Sequence, residues 1–412
     1  MDKWVRRAAA GMALTTVIAA GCSSTVKAKG SASSGSSASE PTYTVGVLTD
    51  LTGPGSNTGD TTEEGIKAGV GVAQEDGYRI KYVMADTGTS LSGVLTAAKT
   101  LVEQDHVLAV IQISVVGFGA ASYLASQNIP VIGADVDGPE WLTDRNMFSS
   151  FGFQDYTKVQ TTYGLVMKKL GITTIGGVAY GIEPASYDVV KSWAASAQLA
   201  GIKVGYLNTQ LPFGDTNMGP VALQMKSKGV NGMYTGVVSS TSFALAAALQ
   251  QQGVKFKGLM ATGYGGDLTG GGPGASHIAQ GLYFLSGYEP MEMHTAATQK
   301  FATALSRYAG VKGDPTLSEY LGYTAIDALV AGLKVAGPNP TQASLINAML
   351  GITNFDPAGL WGGRTTSFAL AGRGETAGGD NCTWITQYKG TSFHLVPGLD
   401  PQCGTLVPGK SV

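Results

Sequence analysis

Two glycine-rich stretches have the spacing of phosphate-binding loops and are the first candidates for chemistry in this sequence. Gly404–Ser411 matches the phosphate-loop pattern G-x-x-x-x-G-K-S letter for letter. That pattern needs a following helix whose N-terminus faces the phosphates, and since a single residue follows here, we expect no phosphate site. Gly117 and Gly119, with Asp135 downstream, approximate the dinucleotide fingerprint, but Ser122 replaces its third glycine. We interpret this stretch as a tight strand-to-helix turn whose amides can face a small polar ligand.

Motifs for metal binding and for nucleophilic catalysis are incomplete. Asp135 and Asp137 begin a stretch like a calcium loop, but the third oxygen ligand and the final Glu do not follow at the required spacing. The 4 histidines are scattered, and neither H-E-x-x-H nor paired C-x-x-C occurs, so zinc is not expected. No G-x-S-x-G elbow is present. We therefore expect no metal, no cofactor and no enzyme activity, although residues distant in sequence can still meet in a fold.

The elements that must position these residues alternate between short apolar strands and segments of helical period, a pattern that predicts parallel doubly wound α/β sheets. The strands predicted for a first sheet are Tyr43–Thr49, Ile80–Ala85, Val107–Ile113 and Pro130–Gly133, with helices at Thr61–Gln74, Leu91–Glu103 and Gly119–Gln127. A second set comprises a helix at Tyr156–Lys169, strands at Thr174–Ala179, Val204–Leu207, Gly232–Val237 and Gly258–Ala261, and helices at Tyr187–Leu199, Gly219–Lys228 and Ser242–Gln252. An apolar run at Gly281–Leu285 then precedes helices at His294–Tyr308 and Leu317–Ala336 and strand-like pieces at Thr366–Ala369 and Thr383–Tyr388. The sequence thus predicts two α/β lobes in tandem, with the remaining chain returning to complete each of them.

The loops after the predicted strands are small and polar. They are Thr49–Asp60, Ser114–Gly117, Asp135–Glu140, Tyr180–Tyr187, Ser239–Ser242 and Thr262–Asp267. In open α/β sheets, ligands bind beyond the carboxyl ends of the strands, where helix N-termini offer free amides. Each loop taken singly is equally consistent with a solvated turn, but two facing lobes would bring the whole set into one cleft.

The N-terminal residues have the layout of an export signal. Basic residues precede a short apolar stretch at Ala8–Ala20, and small residues then lead to Cys22. We expect residues 1–21 to be a lipoprotein signal peptide and Cys22 to be acylated. Residues 22–42, rich in Ser, Ala and Gly, are predicted to be a flexible tether that holds the protein on the outer face of the cell membrane.

Cysteine usage and overall composition fit an exported, folded protein. With Cys22 used by the lipid, Cys382 and Cys403 remain as a candidate disulfide in an oxidising compartment. The 412 residues are 43% hydrophobic and 14% charged, with a formal net charge of −2. This composition excludes a largely disordered chain, and it gives no overall basic footprint for nucleic acid.

Several short motifs also occur in an informative order along the chain. They are Val45–Gly55, Gly59 with Gly65–Gly69, Ala109–Ser114, Ile129–Ile132, Pro139–Glu140, Asn354–Asp356 with Gly359, and Trp384–Gly390. Together they resemble the leucine/isoleucine/valine-binding branch of the type I solute-binding lipoproteins of ABC importers, over about residues 43–396. The resemblance implies two α/β lobes that close on a small ligand, joined by three crossings near Gly152–Tyr156, Phe284–Tyr288 and Arg364–Phe368.

The resemblance also implies roles for individual residues. Ser114 fits the position whose hydroxyl holds the ligand's carboxylate, whereas Asp135 and Asp137 stand where Ala and Thr are typical. A carboxylate beside a bound carboxylate is unfavourable, so either the ligand is not a plain α-amino acid or these aspartates bind its ammonium or hydroxyl groups. The ligand-binding residues expected on these grounds are Ser114, Val115, Asp135, Asp137, Tyr180, Tyr187, Thr235, Tyr264 and Asp267.

The expected organisation is one lobe of residues 43–153 and 289–363 and a second lobe of residues 154–288 and 364–412. The expected function is a substrate-binding lipoprotein, monomeric, that captures a small polar organic solute such as a branched-chain amino acid, an amide or a small carboxylate. It would deliver the solute to an ABC permease with a cytoplasmic ATPase. A ligand-sensing lipoprotein and a periplasmic hydrolase on the same scaffold remain alternatives.

Overall fold

Strands and helices alternate along most of the chain, as the sequence predicts. The computed structural model describes residues 41–270, 274–375 and 381–412, so Cys22, the signal and the tether lie outside the described residues. The strands are β1 Thr42–Thr49, β2 Arg79–Asp86, β3 Ala109–Ile113, β4 Val131–Gly133, β5 Met147–Ser149, β6 Lys158–Gln160, β7 Thr174–Tyr180, β8 Lys203–Leu211, β9 Gly232–Gly236, β10 Lys257–Met260, β11 Tyr283–Ser286, β12 Cys382–Lys389, β13 Ser392–Leu395, β14 Gln402–Cys403 and β15 Leu406–Ser411. The helices are α1 Ser56–Gly59, α2 Thr62–Glu75, α3 Leu91–Glu103, α4 Phe118–Ser126, α5 Glu140–Thr143, α6 Thr162–Lys169, α7 Pro184–Leu199, α8 Gly219–Ser227, α9 Ser239–Gln251, α10 Gly266–Gly270, α11 Ala275–Ile278, α12 Ala296–Ala304, α13 Leu317–Ala336 and α14 Gln342–Leu350. A 3₁₀ turn at Met291–Met293 and a π-helical turn at Leu305–Ala309 flank α12.

The first sheet is fully parallel, in the order β2-β1-β3-β4-β5. Strand β3 shows why these segments are strands, because Ala109–Ile113 is a continuous run in which all residues are buried. Helix α13 packs against α2, β3 and β4, and α3 packs against α4 and β1. The predicted bounds of α3 and α13 are confirmed.

The second sheet has the order β13-β12-β11-β10-β9-β7-β8, with β14 beside β12. Strands β7 to β11 pair in parallel, whereas β12 runs antiparallel to β11 and to β13. The C-terminal strands therefore extend a parallel sheet with an antiparallel edge.

The chain passes between the two sheets more than once. After β11 it returns to the first sheet, where α12 and α13 pack against α2, and it then re-enters the second sheet as β12. With the passage from β5 to β7, this gives two doubly wound lobes joined by three crossings, which is the predicted fold class.

The residue boundaries of the lobes, and the third crossing near Arg364–Phe368, remain predictions. Phe368 packs its ring 5.8 Å from that of Phe148 in the first lobe. The Arg364 guanidinium lies 4.4 Å from the ring of Trp384, in β12 of the second sheet. This segment therefore contacts both lobes.

Two predicted elements are wrong in part, because their partners are distant in sequence. The first residues of the predicted helix Tyr156–Lys169 form β6, which pairs antiparallel with β15 at the C-terminus. The predicted strand Thr366–Ala369 is reduced to a single bridge between Phe355 and Thr366. Local periodicity contains no information about such pairings.

A disulfide joins Cys382 and Cys403, which stand opposite each other on β12 and β14. It closes a loop across a separation of 21 residues. The bond ties the C-terminal segment to the second sheet.

Candidate functional site

A cavity of about 230 Å³ lies where the strand-end loops of both sheets meet. The first lobe contributes Asp50 after β1 and Ser114 and Val115 after β3, while the second contributes Val237 after β9 and Thr262 after β10. The remaining lining residues include Val136, Phe151, Gln154, Tyr156, Tyr163, Glu183, Ala185, Ser186, Val189, Trp193, Leu285, Ser286, Leu317, Leu321, Trp361 and Thr383. The cavity therefore has the place that doubly wound sheets give to a ligand.

Asp50 anchors the first-lobe side of the cavity, and the strand order explains its partners. Strand β1 lies between β2 and β3, so the residue after β1 is flanked by Thr87 after β2 and Ser114 after β3. The Ser114 hydroxyl donates to Asp50 Oδ1 at 2.7 Å, and the backbone N–H of Val115 donates to Oδ2 at 2.9 Å. The Thr87 hydroxyl also donates to Oδ1. Burial raises the pKa of Asp50, while these hydrogen bonds oppose the rise.

Glu183 faces the same cavity from the second lobe. It immediately precedes α7 and is 7% exposed. Its carboxyl accepts no hydrogen bond from the residues that the structure describes. Burial, with a smaller contribution from the charge of Asp50, raises the pKa of Glu183 well above its usual value. Among the described residues that line the cavity there is no Lys, Arg or His.

Aromatic side chains form much of the remaining wall. Trp193 is sandwiched between Tyr163 and Tyr234, with ring centroids 3.5 and 3.6 Å away. Tyr156 is fixed by donating its hydroxyl to the backbone carbonyl of Asp135 at 2.7 Å. Trp361 joins the wall from the segment that follows α14. Stacking holds the Trp193 ring rigidly, so the cavity presents a preformed apolar surface.

The structure brings two of the sequence-predicted site residues, Ser114 and Val115, to the cavity. The other predicted residues do not line it: Asp135, Asp137, Tyr180, Tyr187, Thr235, Tyr264 and Asp267.

The two aspartates after β4 have structural partners. Asp135 Oδ2 accepts from the backbone N–H of Gln154 at 2.6 Å. Asp137 accepts from Trp141 Nε1 at 2.7 Å and from Gln112 Nε2 at 3.2 Å. Both aspartates are at most 1% exposed, and burial raises their pKa values well above the usual range.

Gly117, in the dinucleotide-like motif, packs closely against Gln112 and Asp137. A Cβ atom on Gly117 would lie 2.2 Å from Gln112 Nε2 and 2.6 Å from Asp137 Oδ2. The position therefore needs glycine because the Gln112–Asp137 hydrogen bond fills the space beside it. A close side-chain approach therefore accounts for the glycine at this position.

The site residues predicted in the second lobe have other partners and do not line the cavity. The Tyr180 hydroxyl pairs with that of Thr241 at 2.8 Å, and Thr235 pairs with Ser242 at the same distance. Tyr264 donates to the Glu292 carboxylate at 2.9 Å. Two further residues have other surroundings: the Tyr187 ring lies 4.7 Å from Lys191 Nζ, and Asp267 is buried in α10.

Sequence reasoning missed Asp50, Glu183, Tyr163, Trp193 and Trp361 as individual residues. Asp50 and Glu183 do lie in the loops Thr49–Asp60 and Tyr180–Tyr187, which the strand pattern identifies. For Trp193 a signal existed in α7, where Ala185, Val189 and Trp193 recur every four residues and line the cavity together.

In the described part of the chain, no group of His, Cys, Asp and Glu side chains is arranged to hold a metal ion. None of the described helices has the length and apolar character needed to cross a membrane.

The fold and sequence are similar to known binding proteins. Residues 42–392 match the family described as periplasmic binding protein. A search of curated protein sequences found no match.

Solved structures of the same architecture include several with bound ligands. The LivJ substrate binding protein of a branched-chain amino acid transporter from Streptococcus pneumoniae, in complex with isoleucine, is 16% identical with a TM-score of 0.70, covering 89% of this chain and 99% of its own. A solute binding protein of an ABC transporter from R. palustris, in complex with benzoate, is 16% identical with a TM-score of 0.71, covering 90% and 99%. Another from R. palustris, in complex with 4-hydroxybenzoate, is 15% identical with a TM-score of 0.70, covering 86% and 96%. Since the family match extends over most of the sequence and the cavity lies between two doubly wound lobes, this chain belongs to the periplasmic binding protein family.

Proposed function

We propose that this protein is the substrate-binding component of an ABC importer, which captures a small organic solute between its lobes and delivers it to a membrane permease. The observation that carries the proposal is the cavity lined by strand-end loops from both sheets. A ligand there would contact both lobes at once, so its binding energy would favour the closed arrangement over an open one. The three crossings would serve as the hinge.

The cavity's chemistry supports a small ligand with an apolar or aromatic body. Its wall includes Phe151, Tyr156, Trp193 and Trp361, and most of its surface is apolar. The similar proteins of known structure are in complex with isoleucine, benzoate and 4-hydroxybenzoate. All three ligands combine a compact apolar body with a polar group, and this description fits the cavity.

Membership in the family implies a location outside the cytoplasm. We propose that the chain is exported by its N-terminal signal, acylated at Cys22 and tethered as a monomer to the outer face of the membrane. From there it would dock onto a permease that works with a cytoplasmic ATPase. Labelling with a radioactive fatty acid, compared between the parent and Cys22→Ser, tests the anchor: label on the parent alone supports it.

Ligand screening on the full chain tests the binding function. Thermal-shift measurements over amino acids, amides, amines and aromatic acids should give at least one compound that titrates calorimetrically at one site per chain, with a dissociation constant on the order of micromolar. Absence of any such compound would contradict the proposal.

A matched pair of substitutions tests whether the cavity is the site. Val115→Trp fills the cavity and should weaken binding by about tenfold or more. Val335→Trp introduces the same side chain at a residue that is 62% exposed on α13, and should bind like the parent. Equal affinity in a folded Val115→Trp protein would place the site elsewhere.

A further inference from the structure

Two donors in the strand-end loops of the first lobe are already occupied by a carboxylate of the protein itself, whereas Trp361 Nε1 has no acceptor among the described residues. The Ser114 hydroxyl and the Val115 N–H both donate to Asp50, at 2.7 and 2.9 Å. Thr87 supplies a third donor to the same side chain. Asp50 thus takes the position that an anionic ligand group would need in order to use these donors.

On the second-lobe side of the cavity, by contrast, a hydrogen-bond acceptor, the Glu183 carboxyl, receives no hydrogen bond from the described part of the chain. The Glu183 carboxyl is more than nine-tenths buried and lines the cavity, and no described residue donates a hydrogen bond to it. No basic residue among the described lining set neutralises it. Without a partner a buried carboxyl keeps its proton and stays neutral, and a cationic ligand group beside it would let it ionise and form an ion pair.

The aromatic wall suits the same kind of ligand group. Faces of Trp and Tyr rings attract cations electrostatically, and quaternary ammonium groups are bound by aromatic rings in this way. Tyr156 and Trp361 line the cavity together with Glu183, whereas both faces of Trp193 are covered by Tyr163 and Tyr234.

We infer that the ligand is a small organic cation, an amine or quaternary ammonium compound with an apolar body and no carboxylate, whose charged group binds Glu183. This inference rests on the proposed function and names its substrate class. It distinguishes the chain from its structural neighbours in complex with benzoates.

Compounds that share a body and differ in the charged group test the inference. Calorimetric titration of the full chain would compare benzylamine, benzyltrimethylammonium, benzyl alcohol and benzoate, and in parallel isoamylamine, leucine and 4-methylpentanoate. We expect the amine or quaternary compound of a series to bind about tenfold or more tightly than its carboxylate partner. Tighter binding of the carboxylate or of the alcohol would overturn the inference and leave the proposed function intact. If no compound of any class bound at one site per chain, both the inference and the proposed function would be overturned.

A variant at Glu183 and a matched control at an exposed glutamate sharpen the test. Glu183→Gln should weaken binding of the best cation by about tenfold or more without lowering the unfolding temperature of the ligand-free protein. Glu103→Gln, at an exposed residue in α3, removes the same charge away from the cavity and should leave affinity unchanged. Unchanged affinity in Glu183→Gln would overturn the inference.

The substitution Asp50→Ala should increase the affinity of the protein for carboxylates. It would release the Ser114 hydroxyl and the Val115 N–H to the cavity, so the affinity for benzoate should rise by about tenfold. If a folded Asp50→Ala protein showed no gain for any carboxylate, Asp50 would not be what excludes anions, and the inference would fail.

Discussion

Two clusters of buried acidic residues follow strands of this protein, and they differ in what surrounds them. The aspartate cluster, Asp135 and Asp137, follows β4, whereas the cavity pair, Asp50 and Glu183, follows β1 and β7. Burial raises the pKa of all four carboxyls. However, the aspartate cluster receives donors from Trp141, Gln112 and Gln154 and does not line the cavity.

A position after a strand therefore does not by itself identify a ligand-binding residue. A carboxyl there either bonds to its own loop or faces open space, and nearby side chains decide between these outcomes. Asp137 is bonded by Trp141, four residues further along the chain, whereas Glu183 has no described donor. Function is therefore expected where burial is combined with an unused acceptor and a cavity.

The largest effect on stability is expected in the aspartate cluster. Asp137→Ala would leave Trp141 Nε1 and the Gln112 amide without an acceptor in a buried place, which costs about 1–3 kcal/mol for each group. Urea unfolding should show a loss of about 3 kcal/mol, and the exposed Asp76→Ala serves as the control. A loss below about 1 kcal/mol would show that the cluster is not structural.

Removal of the disulfide should affect both stability and the cavity. The double variant Cys382→Ser, Cys403→Ser loses a cross-link over 21 residues, which is worth about 3 kcal/mol in the chain-entropy model. Because Cys382 and Thr383 line the cavity, ligand affinity should fall as well. Parallel urea unfolding and calorimetry check this, and unchanged affinity would separate the disulfide from the site.

A further buried acid, Asp267, predicts a dependence of stability on pH. Burial raises its pKa to about 8, so the folded protein keeps a proton there that the unfolded chain loses above its ordinary pKa of 3.8. The free energy of unfolding should therefore fall as pH rises from about 4 to 8, with a contribution of about 1 kcal/mol per pH unit. Asp267→Asn should flatten this slope in urea unfolding measured across the range, and an unaltered slope would contradict the assignment.

The smallest effect is expected from Ser114→Ala. It removes one of the three hydrogen bonds to Asp50, so the free energy of unfolding should fall by about 1 kcal/mol. Val115 and Thr87 would still hold the aspartate in place, so cation affinity should change little. A strong loss of cation affinity in calorimetry would show instead that Ser114 binds the ligand directly.

Sequence patterns predicted the fold well where local signals and tertiary structure agree. Strand β3 is a buried apolar run, and α13 has both a Thr316 capping box and a largely apolar sequence that is buried along most of its length. The β6–β15 pairing was beyond prediction, since β15 lies near the end of the chain and far in sequence from β6. Periodicity reports on a single segment and not on its distant partner.

The candidate site was predictable as a set of loops but not as a set of side chains. The loops containing Asp50 and Glu183 follow from the strand pattern, and Ser114 follows from its place after β3. Whether Asp137 or Glu183 faces the cavity depends on the position of the Trp141 side chain and on how the two lobes meet. The spacing of residues along the sequence predicts neither of these two features.

The role of Glu183 is best tested by calorimetric titration of the best ligand into Glu183→Gln and Asp137→Asn, side by side with the parent. Both substitutions remove a buried carboxyl and retain its shape. If Glu183 binds the ligand, Glu183→Gln should weaken affinity by about tenfold or more and Asp137→Asn should change it by less than about twofold. The opposite order, with Asp137→Asn losing the ligand and Glu183→Gln retaining it, would show that Glu183 is not the ligand-binding carboxyl.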